Sequence, residues 1–215
     1  MSASLEELQA RAGEMFDPRL AAEVSAAIER EAVAGEEPAP GQPVLESLAT
    51  MFLADRFYKK LPVGKIEGRI NVVWNGLDSF MYVPDPQHPF SYTTGAGRKI
   101  TPRLMDTDGG SIPRLLWASK KFSPWGYAPS FMVHDWVFVA HKCGHAPDTD
   151  WTFPQSALLL AEVTKTLMEV GFTDFKGTVR KLPKLEDTLY LMYLAVSSPI
   201  AENLWNDPGT VTCYV

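Results

Sequence analysis

His134 and Asp135 are the residues best suited to chemistry. They interrupt an otherwise apolar run, Phe131-Met132-Val133-His134-Asp135-Trp136-Val137-Phe138-Val139-Ala140. Burying an ionisable pair costs several kcal/mol unless it is paired or solvated at a cleft, so a functional role is the favoured reading. Neighbours on a helix point about 100° apart and do not serve one partner identically. The expected division is proton transfer by His134 and cation or backbone binding by Asp135. The competing reading is a helix whose His and Asp only satisfy nearby backbone groups.

Two further clusters supply partners. Asp148-Thr149-Asp150 opens the next helical run, after a turn marked by Gly144 and Pro147. Two helices joined in this way should run antiparallel, which brings Asp150 back alongside His134 to hold one imidazole tautomer. Asp148 or Asp150 should also act as an N-cap. Upstream, Asp106-Thr107-Asp108-Gly109-Gly110-Ser111-Ile112-Pro113 places two glycines, Asp108 and Ser111 before a proline-started helix. There, backbone N–H groups suit an anion and carboxylates suit a metal, while a simple turn capped by Ser111 is equally consistent. The loop is neither an EF-hand nor a P-loop. Ser111 as a nucleophile lacks the G-x-S-x-G elbow. His141, seven residues after His134, lies near the same helix face, but no H-E-x-x-H pattern supports a zinc site with it. His145 and Cys143 are weaker still.

The elements that must carry these residues follow from periodicity. Residues 4–33 read as a helix with Leu5, Leu8, Ala12, Met15 and Phe16 on one stripe, capped by Ser4 and Glu7 and broken near Asp17-Pro18. Residues 35–43 (GEEPAPGQP) read as a linker, so residues 1–34 form a helical arm and 44–215 a single domain. Helical spacing resumes at Val44–Tyr58. Short β-rich runs then follow at Arg69–Trp74, Ser79–Val83, Phe90–Thr93 and Arg98–Leu104, with Asn75-Gly76 as the hairpin signal. Helices are expected at Pro113–Ala118, Ala128–His141, Thr152–Val170 and Leu185–Ser197, with Pro199 and Pro208 breaking up the tail. Strands followed by helices argue α+β: a small antiparallel sheet and then a helical half.

Composition narrows the partners. A net charge of −6 makes nucleic acid an unlikely ligand, and Lys59, Lys60 and Lys65 read as a solvated face. No apolar stretch is long enough for a transmembrane helix, and the N-terminus is not a secretory signal. Cys143 and Cys213 form no C-x-x-C pair; reduced thiols in a cytoplasm are the simpler reading, with a disulfide left open.

These residues carry a resemblance. Thr107-Asp108-Gly109-Gly110-Ser111-Ile112-Pro113-Arg114, then Pro124-x-Gly126-Tyr127, His134-Asp135-Trp136-x-Phe138 and Asp150-x-x-Phe153 resemble a family of small phage and prophage proteins of unknown function. That family carries T-D-x-x-S-I-P-R, H-D-x-x-Y and A-D-x-x-F, and the likeness covers roughly residues 66–165. It implies a phage or prophage origin and a shared site at Asp108, Ser111, His134, Asp135 and Asp150. The H-D helix with its D-x-x-F partner also looks like the phospholipase A2 arrangement, although Phe138 stands where that family has tyrosine. There the His activates water, the adjacent Asp binds calcium and a second Asp orients the His. Those roles would fall on His134, Asp135 and Asp150, with Gly109–Gly110 in the calcium loop.

Two functions compete. The first is a hydrolase with catalytic His134, Asp150 and Ser111, and with Asp135 and Asp108 holding a divalent cation, calcium or zinc. Its substrate would be a small molecule, lipid or peptide carrying an ester, phosphoester or amide. The second is a non-catalytic virion or assembly component whose arm binds another copy or a phage partner. Both imply a host-cell cytoplasm or a phage particle.

Overall fold

A computed structural model of the protein describes residues 48–76, 79–107, 124–207, 209, 211–214 and the single position Ala26. The arm, the linker, the expected helix at Pro113–Ala118, and the loop residues Asp108, Gly109, Gly110 and Ser111 lie outside these residues.

The described fold is α+β. Helix α1 (Leu48–Lys60) precedes strands β1 (Lys65–Glu67), β2 (Val72–Gly76), β3 (Ser79–Tyr82), β4 (Ser91–Thr93), β5 (Lys99–Ile100) and β6 (Met105–Thr107). Helices α2 (Ala128–Cys143) and α3 (Phe153–Glu169), a hairpin of β7 (Phe172–Thr173) and β8 (Val179–Arg180), and helices α4 (Glu186–Val196) and α5 (Pro199–Asn206) follow. The strands form three antiparallel sheets, ordered β1-β4-β5, β2-β3-β6 and β7-β8, rather than the one small sheet expected.

Helix α2 packs on α3, α3 on α4, and α4 on α1. Trp136, Tyr58, Tyr92, Tyr190 and Phe131 are among the largest side chains sealed between these layers. Each fully buried aromatic of this kind contributes about 1.5–3 kcal/mol.

The α2–α3 pair positions the site. Pro129 lies in the first turn of α2, where the missing N–H is not needed. Gly144 ends the helix at φ +69°, and its N–H reaches Ala140 O. The N-cap of α3 is Thr152, in a capping box with Gln155, and not Asp148 or Asp150 as expected. Those two acids lie one step earlier, in a 3₁₀ turn spanning Asp148–Asp150.

Three further expectations shift. Gly76 pairs with Ser79 across a register change after Trp74, so Asn75-Gly76 ends strand β2 instead of forming the turn. Pro199 starts a helix rather than breaking the tail: it occupies the first turn of α5, and Ser198 Oγ accepts from Ala201 N at 3.3 Å. The β7-β8 hairpin falls between the expected helices Thr152–Val170 and Leu185–Ser197, where no strand was expected. Asp174 Oδ1 closes it by accepting from the N–H groups of Lys176 and Thr178.

The cysteines are joined. Cys143 and Cys213 form a disulfide across 70 residues, with Cα atoms 5.6 Å apart, which corrects the reduced-thiol reading. The cause is tertiary. Lys142 Nζ donates to Leu204 O and Asp207 O, each at 2.6 Å, and draws the chain after α5 back to the end of α2.

Candidate functional site

His134 and Asp135 lie in the middle of α2, as the periodicity requires. Met105 and Thr107 of β6 are buried on the side that packs against this helix, in keeping with strand alternation. Thr107 Oγ1 donates to Asp135 Oδ2 at 2.6 Å. The other oxygen of Asp135 lies 3.8 Å from His134 Nδ1. The His134 residue is only 4% exposed, and its Nε2 is buried with no hydrogen-bond partner. Phe138 packs on the imidazole at 4.9 Å and meets Trp205 edge-on at 4.7 Å, closing the apolar side of the ring.

Asp150 does not take the orienting position expected of it. Its side chain is 67% exposed, and its carboxylate pairs with Arg98. Asp148, two residues earlier, is the acid turned inward. It is 4% exposed, accepts from Trp136 Nε1 at 2.8 Å and pairs with Arg98 at 3.4 Å. The 3₁₀ turn sends these two acids in different directions. The inward one reaches α2 at Trp136, two positions beyond His134, and bonds an indole rather than an imidazole. Arg98 completes this cluster by donating to Pro147 O at 2.9 Å and lying over the Trp151 ring at 4.1 Å.

His141 and His145 are committed to packing. His141 stacks on Trp205 at 4.1 Å, and His145 stacks on Trp136 at 5.5 Å. A metal set of His134, His141 and a carboxylate is therefore not assembled, and among the described residues no group of three His, Cys, Asp or Glu side chains could hold an ion. One oxygen of Asp135 is taken by Thr107, and the other lies 3.8 Å from His134 Nδ1, beyond direct hydrogen-bond distance.

A second polar cluster escaped the sequence reading. Glu162, within the buried face of α3, is fully buried. Its Oε1 accepts from Tyr92 Oη at 2.8 Å and Gly95 N at 2.7 Å, while Oε2 is buried without a partner. Thr166 Oγ1 extends the network to Tyr92 Oη at 3.1 Å and to Gly64 N at 2.9 Å. Burial pushes the Glu162 carboxyl pKa up, opposed by the Gly95 and Tyr92 hydrogen bonds. The cluster fastens the β1-β4-β5 sheet to α3. Its signal was a lone acid among leucines, the same kind of signal that singled out His134-Asp135. Thr107 was also visible, as the first residue of the T-D-x-x-S-I-P stretch.

The lysines read as a solvated face are partly neutralised: Lys59 pairs with Asp55 and Lys65 with Glu67. Among the described residues no helix is long and apolar enough to cross a membrane. Compared with protein-family models, curated proteins and solved structures, the chain matches none.

Proposed function

We propose that the chain is a phage- or prophage-encoded hydrolase in which His134 is the general base and Asp135, not Asp150, orients it. One observation carries this reading: His134 Nε2 is buried and unpartnered on a ring whose Nδ1 faces a carboxylate already held by Thr107. An unsatisfied buried nitrogen costs about 1–3 kcal/mol, and such a group calls for an explanation. A base kept ready for a proton from outside the fold supplies one.

The nucleophile is a water or Ser111. Ser111 follows Thr107 by four residues in the sequence. His134 Nε2 takes the proton of the attacking oxygen, and Asp135 favours the tautomer that leaves Nε2 free to accept it. Esters, phosphoesters and amides of small molecules, lipids or peptides all suit this chemistry. The phage origin rests on the motif likeness from Thr107 to Phe153. No step is assigned to a cation.

The test is a panel of chromogenic esters, phosphodiesters and amides against wild type, His134→Gln and Asp135→Asn. Wild type should cleave at least one class. His134→Gln should lose about 10²–10⁴-fold in rate, the usual worth of a positioned base, while its Tm stays within a few degrees. An inert wild type, or undiminished turnover in His134→Gln, would refute the reading.

The near-complete burial of the imidazole favours a second reading, a non-catalytic virion or assembly component in a phage particle or host cytoplasm. There the His134–Asp135–Thr107 set would be a fold-specifying network, and the apolar stripe of residues 1–34 would bind another copy. Light scattering of the full chain against a chain lacking residues 1–34 tests it: loss of an oligomer supports this reading, and two identical monomers refute it.

A further inference from the structure

The tail after α5 reaches the candidate site by two covalently adjacent residues. Cys213 is bonded to Cys143, the last residue of α2. Tyr214, its neighbour, donates from Oη to Asp106 Oδ2 at 2.9 Å. Asp106 lies on β6 between Met105 and Thr107, and alternation turns it away from the face on which Thr107 holds Asp135. Strand β6 is thus gripped from both sides, by the tail on one and by α2 on the other.

That grip matters because, among the described residues, β6 is an edge strand whose one strand partner is β3, through the three pairs Phe80↔Thr107, Met81↔Asp106 and Tyr82↔Met105. The other oxygen of Asp106 is buried without a partner, so the phenol of Tyr214 is the donor that satisfies this carboxylate. The same hydrogen bond raises the Tyr214 pKa, with burial and the charge of Asp106 adding to it. Cys213 is exposed, whereas Cys143 is only partly so. A reductant therefore has access to the bond that anchors the strap.

We propose that Tyr214 is a positioning residue for the His134–Asp135 site, and that the Cys143–Cys213 disulfide is a redox latch that keeps it there. Its effect on hydrolysis rests on the function proposed above; the mechanical link to β6 does not. The opening step is thiol–disulfide exchange with a dithiol. One thiolate attacks Cys213 Sγ, the bond to Cys143 breaks, and a mixed disulfide forms. The second thiol resolves that intermediate. The protein gains two electrons and two protons as two thiols, and the dithiol becomes a disulfide. The tail then loses its covalent anchor and Tyr214 leaves Asp106, while the pairing of β6 with β3 and the Thr107–Asp135 bond remain.

Hydrogen exchange of peptides covering residues 79–107, together with ¹⁵N spectra of the His134 ring, reads the link without needing turnover. The samples are the oxidised full chain, the same chain with dithiothreitol, Cys213→Ser and Tyr214→Phe. Reduction and both variants should speed exchange in β6 by roughly three- to tenfold, the effect of one lost hydrogen bond. They should also change the His134 tautomer balance, while exchange in α3 and α4 stays as it was. Tyr214→Phe keeps the disulfide and the ring, so it separates the hydroxyl from the latch and remains informative if Cys213→Ser folds poorly. Identical β6 exchange and identical His134 signals in oxidised chain, reduced chain and Tyr214→Phe would overturn the proposal, even if the protein proves to be a hydrolase. A clear response in a chain that hydrolyses nothing would uphold the link and refute only the enzyme reading.

Discussion

Thr107 Oγ1 and Asp135 Oδ2 lie 2.6 Å apart, joining the end of an edge strand to the centre of the helix that carries His134. A hydroxyl bonded to a carboxylate is a short, charge-assisted contact, and it fixes one oxygen of Asp135 while the other lies 3.8 Å from His134 Nδ1.

Replacing Thr107 by Val keeps the shape and removes the donor. The loss should be about 1–3 kcal/mol, because a partly buried carboxylate is left without its neighbour. Thr107→Ser should recover most of it. Urea unfolding of the three chains checks this; equal midpoints for Val and Thr would show that the bond carries nothing.

Asp148 and Asp150 should separate cleanly. Asp148→Ala breaks a buried bond to the Trp136 indole and a pair with Arg98, and should cost about 2–3 kcal/mol. Asp150→Ala removes an exposed partner of Arg98 and should cost about 0–1 kcal/mol. It should also leave any hydrolytic rate unchanged. A large rate loss in Asp150→Ala would restore the orienting role that its position beside Arg98 denies it.

Glu162 makes stability depend on pH. Burial raises its pKa above the usual 4.5, so the folded chain holds this proton more tightly than the unfolded chain. Its contribution is complete below 4.5 and is lost as pH rises through the folded value. Stability of wild type relative to Glu162→Gln should therefore decline as pH rises from about 4.5. Denaturant melts across that range measure the difference, and parallel curves would contradict it.

The disulfide closes a loop of 70 residues in sequence separation. Chain entropy alone sets an upper expectation of about 4.4 kcal/mol for such a loop, and disulfides typically deliver about 2–4 kcal/mol. The double variant Cys143→Ser/Cys213→Ser should unfold at lower denaturant by that amount, with an unchanged far-ultraviolet spectrum. A wild type insensitive to reducing agent in the same assay would count against the loop as a source of stability.

The helices were largely legible. Ala128–His141 was expected and Ala128–Cys143 is found, because an apolar run closed by Gly144 is a local signal. Thr152–Val170 corresponds to Phe153–Glu169. The strands were legible in type but not in length: within Arg98–Leu104 only Lys99–Ile100 forms a strand, β6 begins one residue past its end at Met105, and a single expected sheet becomes separate ones. Strand ends depend on partners that sequence periodicity does not contain. Pro199 was misread because proline both ends helices and begins them, and only Ser198 at the N-cap decides between the two.

By itself, the sequence determined that His134 and Asp135 share a buried helix, since both the apolar run and the helical period are local properties of the chain. Tertiary structure alone decided their partners. Thr107 lies 28 residues from Asp135, and Tyr214 lies 108 residues from Asp106. It also decided that Asp148 rather than Asp150 turns inward, and that Cys143 meets Cys213. Such choices depend on how distant segments pack, and side-chain type and spacing along the chain do not encode them one residue at a time.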